Sequence, residues 1–253
     1  MKFHIIIPAR YDSARLPGKA LLDIAGKSLV ERVYERAVQA DATSVVIATD
    51  DKRIEAAATN FGAKVVMTRA DHTSGTDRLA EAVETLQLAD DDIIVNVQGD
   101  EPMVPVASIQ QVAQALHDHA DIGMTTLCSA LRDKDDLFNR NVVKVVRDKD
   151  NNALYFSRAT VPWSRDAFIE CPDGEHVDLS FYRWHIGIYA YRVSFLKKFV
   201  SWPESPLEDL ERLEQLRVLW HGEKIHVADA KERSMFDVNT QEDLEKVRDW
   251  FDS

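Results

Sequence analysis

Apolar residues in the first half of the chain follow two alternating patterns. Short continuous apolar runs are typical of central parallel strands covered on both faces, and apolar residues at helical spacing follow each run. The predicted strands are residues 3–7, 44–48, 64–67 and 92–97, and the predicted helices lie around residues 28–38, 54–61, 79–86 and 106–116. Helices of this length connect strands by crossovers, which predicts an α/β fold with a mostly parallel sheet and helices on both faces.

The pattern changes after about residue 120. The later predicted strands are residues 123–128, 142–147, 153–156, 184–191 and 224–228, and the later predicted helices are residues 207–219 and 240–251. Turn residues at 148–152 predict a hairpin between two of these strands, and residues 165–180 are polar and irregular. We therefore divide one structural domain into an α/β core at 1–120, a smaller α+β insertion at 121–220 and a return to the core at 221–253.

Composition and charge narrow the possible partners. The 253 residues include 31 Lys and Arg against 43 Asp and Glu, a formal net charge of −12. Such a chain repels phosphate backbones and anionic lipid at long range, so we expect no nucleic acid and no membrane as partners. The two cysteines, Cys128 and Cys171, make no disulfide framework and favour a reducing, cytoplasmic location. No apolar stretch reaches transmembrane length, and the N-terminal run is too short for a signal peptide.

The loop after the first predicted strand carries the strongest chemical signal. In open parallel sheets, ligands bind beyond the carboxyl ends of strands. Arg10, Arg15 and Lys19 stand in this loop, and Gly18 allows close approach of the backbone. This combination favours a triphosphate site over the alternative of a solvated basic loop. The loop contains neither a dinucleotide-binding glycine fingerprint nor a Walker A motif, which argues against an NAD-dependent dehydrogenase and a P-loop ATPase.

Two further segments carry candidate ligands. Asp100 follows the apolar fourth strand, and a carboxylate there is a natural Mg²⁺ ligand, although an Asp-containing turn is the simpler alternative. Residues 72–78 begin a helix whose hydroxyls and backbone N–H groups could hold a base or a phosphate, or Ser74 and Thr76 could merely cap the helix.

A third segment, residues 237–240, precedes the last predicted helix. Thr240 is best explained there as a helix cap, whereas Asp237 and Asn239 are oxygen donors in a plausible place. Elsewhere the chain has neither a Cys/His spacing typical of zinc nor the glycine-flanked serine of a nucleophile elbow.

Taken together, these motifs resemble the Kdo cytidylyltransferases, or CMP-Kdo synthetases, over nearly the whole chain. Kdo is 3-deoxy-manno-octulosonate, an acidic eight-carbon sugar. The motifs are PARY at 8–11, RLPGK at 15–19, ATD at 48–50, SGTDR at 74–78, VNVQGDEP at 95–102, ALYFSRA at 153–159, HIGIY at 185–189 and LEQLR at 213–217. The resemblance implies a Rossmann-like nucleotidyltransferase fold, a homodimer, CTP and Kdo as substrates, Mg²⁺ as cofactor, and a product used in lipopolysaccharide biosynthesis.

The resemblance also implies roles for individual residues. CTP is expected to bind Ala9, Arg10, Arg15, Lys19, Ser74, Gly75, Arg78 and Gln98, and catalysis is expected to depend on Lys19, Arg15 and Asp100. The sugar is expected to face Arg158, His185, Tyr189, Glu214 and Gln215, which places its pocket at the insertion. Of these, Arg158 is our candidate for the carboxylate of Kdo, because a guanidinium binds a carboxylate through two hydrogen bonds.

The sequence departs from the family at the expected metal site. The family pattern before the last helix is Gly-Val-Asp-Thr, in which the Asp assists metal binding, whereas this chain has Asp237-Val238-Asn239-Thr240. We expect Asp100 to bind Mg²⁺ with Asn239 as the nearer partner and Asp237 as the alternative.

Two other functions are also compatible with the sequence. A cytidylyltransferase for another acidic sugar, such as an amino analogue of Kdo or a sialic acid, would have a similar sequence. A nucleotide-binding regulator without turnover is the alternative from another class, and the predicted second substrate pocket argues against it.

Overall fold

The computed structural model describes residues 1–12, 16–72, 74–232 and 237–252. The strands are β1 (His4–Ala9), β2 (Asp23–Ile24), β3 (Lys27–Ser28), β4 (Ser44–Thr49), β5 (Lys64–Met67), β6 (Ile93–Asn96), β7 (Met124–Ala130), β8 (Lys144–Arg147), β9 (Ala153–Ser157), β10 (Arg183–Arg192) and β11 (Ile225–Asp229). The helices are α1 (Leu29–Val38), α2 (Lys52–Asn60), α3 (Gly75–Thr85), α4 (Val106–Asp118), α5 (Asp135–Phe138), α6 (Arg165–Glu170), α7 (Val193–Ser201), α8 (Pro206–Glu211), α9 (Leu216–Trp220) and α10 (Gln241–Asp252).

One twisted sheet organises the molecule, with the strand order β11-β7-β10-β6-β1-β4-β5. The neighbours β6, β1, β4 and β5 are parallel, whereas β10 runs antiparallel to both β6 and β7. The chain leaves β1 for β4 on one side and later returns to β6 on the other side. The gap beyond the carboxyl ends of β1 and β6 is therefore a topological switch point, the usual ligand site of such sheets.

Helices cover both faces of this sheet, as the alternation of buried residues requires. Ile5 and Ile7 pack on one face with apolar residues of α1, α2 and α4. Ile6, between them in the sequence, packs on the opposite face with apolar residues of α3, α7 and α9. The predicted α/β class with a mostly parallel sheet and helices on both faces is confirmed. None of the helices in the described residues is long and apolar enough to cross a bilayer.

The predicted insertion joins the same sheet. Strands β7 and β10 lie side by side in it, and β8 and β9 form the hairpin that the turn residues predicted. At its tip, this hairpin reaches the edge strand β11, where the Val227 N–H donates to the Asn151 carbonyl over 2.8 Å. The division of the chain at residues 120 and 220 stays a prediction.

Two predicted elements differ from the observed ones. Residues 207–219, predicted as one helix, form α8 and α9, because Arg212 adopts a left-handed conformation with φ 52° that ends α8. The segment at 165–180, predicted to be irregular, contains the short helix α6. A small separate core, which includes Leu137, Phe168 and Tyr182, packs around α5 and α6.

Candidate active site

A cleft of about 490 Å³ opens at the switch point beyond β1 and β6. Its lining residues are Pro8, Ala9, Arg10, Asp12, Lys19, Ala20, Gly75, Arg78, Gln98, Gly99 and Asp100. Most residues that the sequence assigned to the nucleotide therefore meet in one place, although they come from loops far apart in the sequence. Arg15, also assigned to it, lies outside the described residues.

The Lys19 side chain is held in this cleft by two hydrogen bonds. Its Nζ donates to Asp100 Oδ2 over 2.7 Å and to the Val238 carbonyl over 3.0 Å. The Val238 N–H in turn donates to the Asp100 carbonyl over 2.9 Å. Lys19 thus joins the loop after β1, the turn after β6 and the segment before α10, and it leaves its ammonium at the wall of the cleft. Arg10, by contrast, is exposed at the cleft rim.

Gly99 sets the distance between two of these segments. A Cβ at this position would lie 2.6 Å from the Pro8 carbonyl oxygen, a contact that side chains do not tolerate. Only glycine therefore allows the turn before Asp100 to lie directly on the end of β1. This close approach brings Asp100 within reach of Lys19.

The N-terminus of α3 borders the cleft and connects it to the predicted sugar side. Ser74 caps α3 in a capping box with Asp77, and its role at the nucleotide stays a prediction. The Thr76 hydroxyl donates to Glu214 Oε2 over 2.8 Å. Burial raises the pKa of Glu214, and the hydroxyls of Thr76 and Ser74 oppose that shift. A residue expected at the nucleotide and one expected at the sugar therefore belong to one hydrogen-bonded group.

Arg78 lines the cleft but is fully buried. Its Nη2 donates to Asp50 Oδ2 over 2.9 Å, and its Nη1 donates to the Thr68 hydroxyl. The side chain thereby fastens α3 to the ends of β4 and β5. Its Nε is buried and has no hydrogen-bond partner among the described residues.

Three carboxylates crowd the end of the cleft near Val238. Burial, followed by the charges of Asp237 and Asp100, raises the pKa of Glu101 well above its usual range. Asp237 keeps an exposed surface, but the protein packed around its carboxyl and the charge of Asp100 raise its pKa to about 6. The backbone N–H of Asn239 donates to Asp243 Oδ2 over 3.1 Å.

This donor set fits a hard divalent cation. Among the described residues, no group of three or more His, Cys, Asp or Glu side chains is arranged to hold a metal by itself. Mg²⁺ commonly takes only one or two protein carboxylates and completes its octahedron with water and substrate phosphates. Asp100 and Asp237, whose negative charges act on each other, provide such carboxylates beside the cleft.

His185 and Tyr189 both lie on β10, where His185 is buried and Tyr189 is partly buried. The His185 ring contacts Phe156 and Tyr189, with centroids 4.9 and 5.5 Å away, and its Nε2 lies 3.1 Å from the Thr126 hydroxyl. Burial lowers the pKa of His185 to about 3, so its imidazole is neutral at physiological pH. Burial and the neighbouring Glu214 raise the pKa of Tyr189. These residues can donate or accept hydrogen bonds but do not supply charge.

The break between α8 and α9 presents Glu214 and Gln215 from a turn. The Nε2 of Gln215 is buried and finds no hydrogen-bond partner in the described part of the chain, so a ligand acceptor could satisfy it. Arg158 holds the same segment, because its Nε donates to the Glu211 carbonyl over 2.7 Å. Its Nη1 donates to the Arg140 carbonyl over 3.0 Å and its Nη2 to the Arg212 carbonyl over 3.4 Å.

Several residues that shape the site were not assigned from the sequence. Lys144 is fully buried and donates to the carbonyls of Asn139, Val142 and Arg158 over 3.0, 2.6 and 2.9 Å. Glu101 was overlooked although it stands beside Asp100, because a second carboxylate at a strand end looks like an ordinary turn residue. Lys144 gave no signal, since a lysine in a strand is usually exposed.

Comparison with known proteins gives one consistent result. The sequence profile described as "Cytidylyltransferase" matches residues 4–225. The chain is 55% identical over 248 residues to 3-deoxy-manno-octulosonate cytidylyltransferase 1 of Actinobacillus pleuropneumoniae serotype 5b, covering 98% of each chain. It is 52% identical over 253 residues to the 3-deoxy-manno-octulosonate cytidylyltransferase of Coxiella burnetii, covering 99% of this chain and 100% of the relative.

Solved structures agree in fold and extent. A CMP:2-keto-3-deoxy-manno-octonic acid synthetase complexed with CTP superposes with a TM-score of 0.89 at 42% identity, covering 100% of this chain and 99% of the other. A 4-diphosphocytidyl-2C-methyl-D-erythritol synthase, 14% identical, superposes with a TM-score of 0.64 over 99% of this chain and 98% of the other, and shares the fold. The predicted nucleotidyltransferase fold is confirmed.

Proposed function

Because the chain belongs to the 3-deoxy-manno-octulosonate cytidylyltransferases, within the cytidylyltransferase family, we propose that it transfers CMP from CTP to Kdo and releases pyrophosphate. The observation that carries this proposal is the position of the Lys19–Asp100 pair at the switch-point cleft. A hydrogen bond from Thr76 to Glu214 links that cleft to the side where the sugar is expected. The product, CMP-Kdo, is proposed to serve lipopolysaccharide biosynthesis.

The reaction is a nucleotidyl transfer. The anomeric hydroxyl oxygen of Kdo attacks the α-phosphorus of CTP and loses its proton to solvent. The bond between the α-phosphorus and the oxygen that bridges to the β-phosphorus breaks, and pyrophosphate leaves in line. Such a reaction depends on positioning and on charge neutralisation more than on covalent help from the protein. Lys19, with Arg10 and Arg15 from the same loop, is proposed to bind the triphosphate and to stabilise the negative charge that grows on the leaving group.

We propose Mg²⁺ as the cofactor, held by Asp100 and a second residue of the segment before α10. When bound, Mg²⁺ supplies charge neutralisation at the phosphates and lowers the pKa of a hydroxyl beside it. From the sequence, Asn239 was expected to be the residue that holds Mg²⁺ together with Asp100. The charge interaction between Asp237 and Asp100 favours Asp237, because two repelling carboxylates gain from a divalent cation between them.

The sugar side is proposed to consist of Arg158, His185, Tyr189, Glu214 and Gln215. Among the described residues, the hydrogen bonds of Arg158 occupy three of its five N–H groups, which leaves two for the carboxylate of Kdo. The unpaired Nε2 of Gln215 is a donor for a sugar hydroxyl. Ser74, Gly75, Arg78, Gln98 and Ala9 are proposed to line the cytidine side of the same cleft.

Purified protein is expected to release pyrophosphate when CTP, Kdo and Mg²⁺ are all present, and EDTA is expected to stop the release. The measurement is a coupled pyrophosphate assay, with CMP-Kdo identified by mass spectrometry. Sialic acid and an amino analogue of Kdo, at the same CTP concentration, test the alternative acceptors. Absence of pyrophosphate with every divalent metal tested would leave only a non-catalytic nucleotide-binding function.

We propose that the protein is a homodimer formed through an exposed apolar patch of Phe138, Trp163, Ile169 and Phe181. The rings of Phe138 and Trp163 contact Phe168 of the small core at α5 and α6, Ile169 follows Phe168 in the chain, and Phe181 is 75% exposed. Exposed apolar patches of this kind commonly mark interfaces.

A reducing cytoplasm is the proposed location, since both Cys128 and Cys171 are free thiols.

Replacement of Ile169 and Phe181 by Ser is expected to shift the protein from dimer to monomer in sedimentation velocity, because it removes apolar area from the patch. Leu210→Ser is the matched control, since Leu210 is 80% exposed but lies on α8, outside the patch. A wild-type protein that sediments as a monomer at micromolar concentration would contradict the proposal.

A further inference from the structure

We propose that Tyr11 and Arg53 form a stacked support that positions Lys19 for the triphosphate; this inference rests on the proposed function and deepens it. Neither residue was assigned a role from the sequence. Together they connect the N-terminus of α2 to the 3₁₀ turn Lys19–Leu21, which begins with the cleft lysine. Both act through Lys19 and are therefore positioning residues.

The first contact of this support is between Tyr11 and Gly18. The Gly18 N–H donates to the Tyr11 carbonyl over 3.0 Å, so the two ends of the loop are joined directly. The Tyr11 ring lies against Gly18 so closely that a Cβ there would be 3.1 Å from the ring carbon Cζ. Gly18 has a φ of +68°, a conformation that glycine adopts without strain. The ring therefore packs on the backbone immediately before Lys19.

The second contact of the Tyr11 ring is with Arg53. The Arg53 guanidinium carbon lies 3.2 Å from the centroid of the Tyr11 ring. A planar guanidinium over an aromatic face is attracted by the negative face of the ring and excludes water from it. The Arg53 side chain is 59% exposed, so the contact is not needed to fill the core.

The orientation of Arg53 is fixed by Asp51. Arg53 Nε donates to Asp51 Oδ1 over 2.9 Å and Nη2 donates to Oδ2 over 2.6 Å, a two-point hydrogen bond that sets the plane of the guanidinium. The hydrogen bonds from Arg53 lower the pKa of Asp51 to about 2. Asp51 also caps α2 by accepting from the Arg53 N–H over 2.8 Å. The support is thus anchored on a helix end rather than on a mobile side chain.

These contacts bear on the nucleotide through a short chain of neighbours. Asp51 holds Arg53, Arg53 holds the Tyr11 ring, and the ring holds Gly18, whose successor Lys19 donates to Asp100 over 2.7 Å. Displacement of a catalytic group by about 1 Å can cost roughly 10²-fold in rate. A loss of the ring or of the guanidinium should therefore weaken the engagement of the triphosphate while leaving the sugar side unchanged.

The test measures kcat and the KM of each substrate, and measures CTP binding without Kdo by calorimetry. Arg53→Ala and Tyr11→Leu are expected to raise the KM and the Kd for CTP by roughly 10-fold, with the KM for Kdo unchanged. Tyr11→Phe keeps the ring and is expected to stay near the wild type. Arg53→Lys is expected to resemble Arg53→Ala, because an ammonium neither stacks flat nor holds Asp51 at two points.

Lys52→Ala is the matched control. Lys52 stands beside Arg53 on the same helix end and pairs with Glu55 rather than with Asp51. If Lys52→Ala weakens CTP as much as Arg53→Ala, or if Arg53→Lys behaves like the wild type, charge alone is responsible and the inference is wrong. Failure of the proposed function is seen separately, as a wild-type protein that makes no CMP-Kdo; the calorimetric comparison of variants still decides the role of the stack in that case.

Discussion

Lys19→Ala is expected to lower kcat by at least roughly 10²-fold, the usual scale for the loss of one electrostatic stabiliser in an active site. The ammonium is held at the cleft wall by Asp100 and the Val238 carbonyl, at 2.7 and 3.0 Å. It is therefore oriented before the substrate arrives, and no rearrangement is needed as charge grows on the leaving pyrophosphate. Measurement of kcat and of the KM for CTP by pyrophosphate release tests the expectation.

Lys27→Ala controls for the loss of a positive charge. Lys27 pairs with Glu35 at a partly exposed position away from the residues that line the cleft, so this variant is expected to keep wild-type kinetics. Thermal unfolding of both variants checks that the fold is intact, since partly exposed ion pairs contribute little to stability. Arg15→Ala is expected to show a loss similar to that of Lys19→Ala. If the activity of Lys19→Ala stays within a few-fold of wild type, the loop is only a solvated basic segment.

The sequence predicted the fold well because the core strands leave little ambiguity. A run such as residues 3–7, with both faces buried, has few solutions other than a central parallel strand. Local caps agree with this pattern, as at Ser28, whose side chain accepts from the Glu31 N–H at the start of α1. When periodicity and capping point to the same element, its existence is secure even where its ends shift by a few residues.

The sequence was less informative where a tertiary contact overrides local preference. The apolar spacing at 207–219 favours one helix, but Arg212 adopts a left-handed conformation and ends α8. The last residue of α8 is held by groups that are distant in the sequence. The Glu211 carboxylate accepts from the Ser157 hydroxyl over 2.6 Å and from the Arg158 N–H over 3.0 Å. No window of local sequence contains that information. The break matters, since it brings Glu214 to Thr76.

The charge of a side chain also did not predict whether that side chain is exposed in the cleft. Arg78 belongs to a motif rich in polar residues, yet it is fully buried against Asp50 and Thr68. A buried guanidinium needs paired acceptors, and those acceptors come from the ends of two other strands. Position after a strand predicted the candidate site, whereas partners and burial could only be obtained from the assembled structure.

Asp100→Asn is expected to lower turnover by roughly 10³-fold, because it removes a charge that serves two partners. The carboxylate accepts the Lys19 hydrogen bond, and it is the carboxylate proposed to hold Mg²⁺. An amide oxygen at this position could still accept a hydrogen bond from the ammonium but would form no ion pair with it, and it would bind the cation more weakly. Pyrophosphate release over a wide range of Mg²⁺ concentrations tests the effect; restoration of full turnover at high Mg²⁺ would mean that Asp100 contributes affinity for the metal but nothing to the reaction.

The same titration assigns the second metal partner. Asp237 carries a charge that interacts with Asp100, whereas Asn239 stands where the family has its metal-assisting Asp. Side chains two residues apart in an extended segment point the same way but lie roughly 7 Å from each other, so only one is expected to contact the ion. We expect Asp237→Ala to need far more Mg²⁺ for half-maximal rate than Asn239→Ala, because a carboxylate binds Mg²⁺ more strongly than an amide oxygen. The reverse order, together with a lower Mg²⁺ requirement in Asn239→Asp, would assign the role to Asn239 as the sequence first suggested.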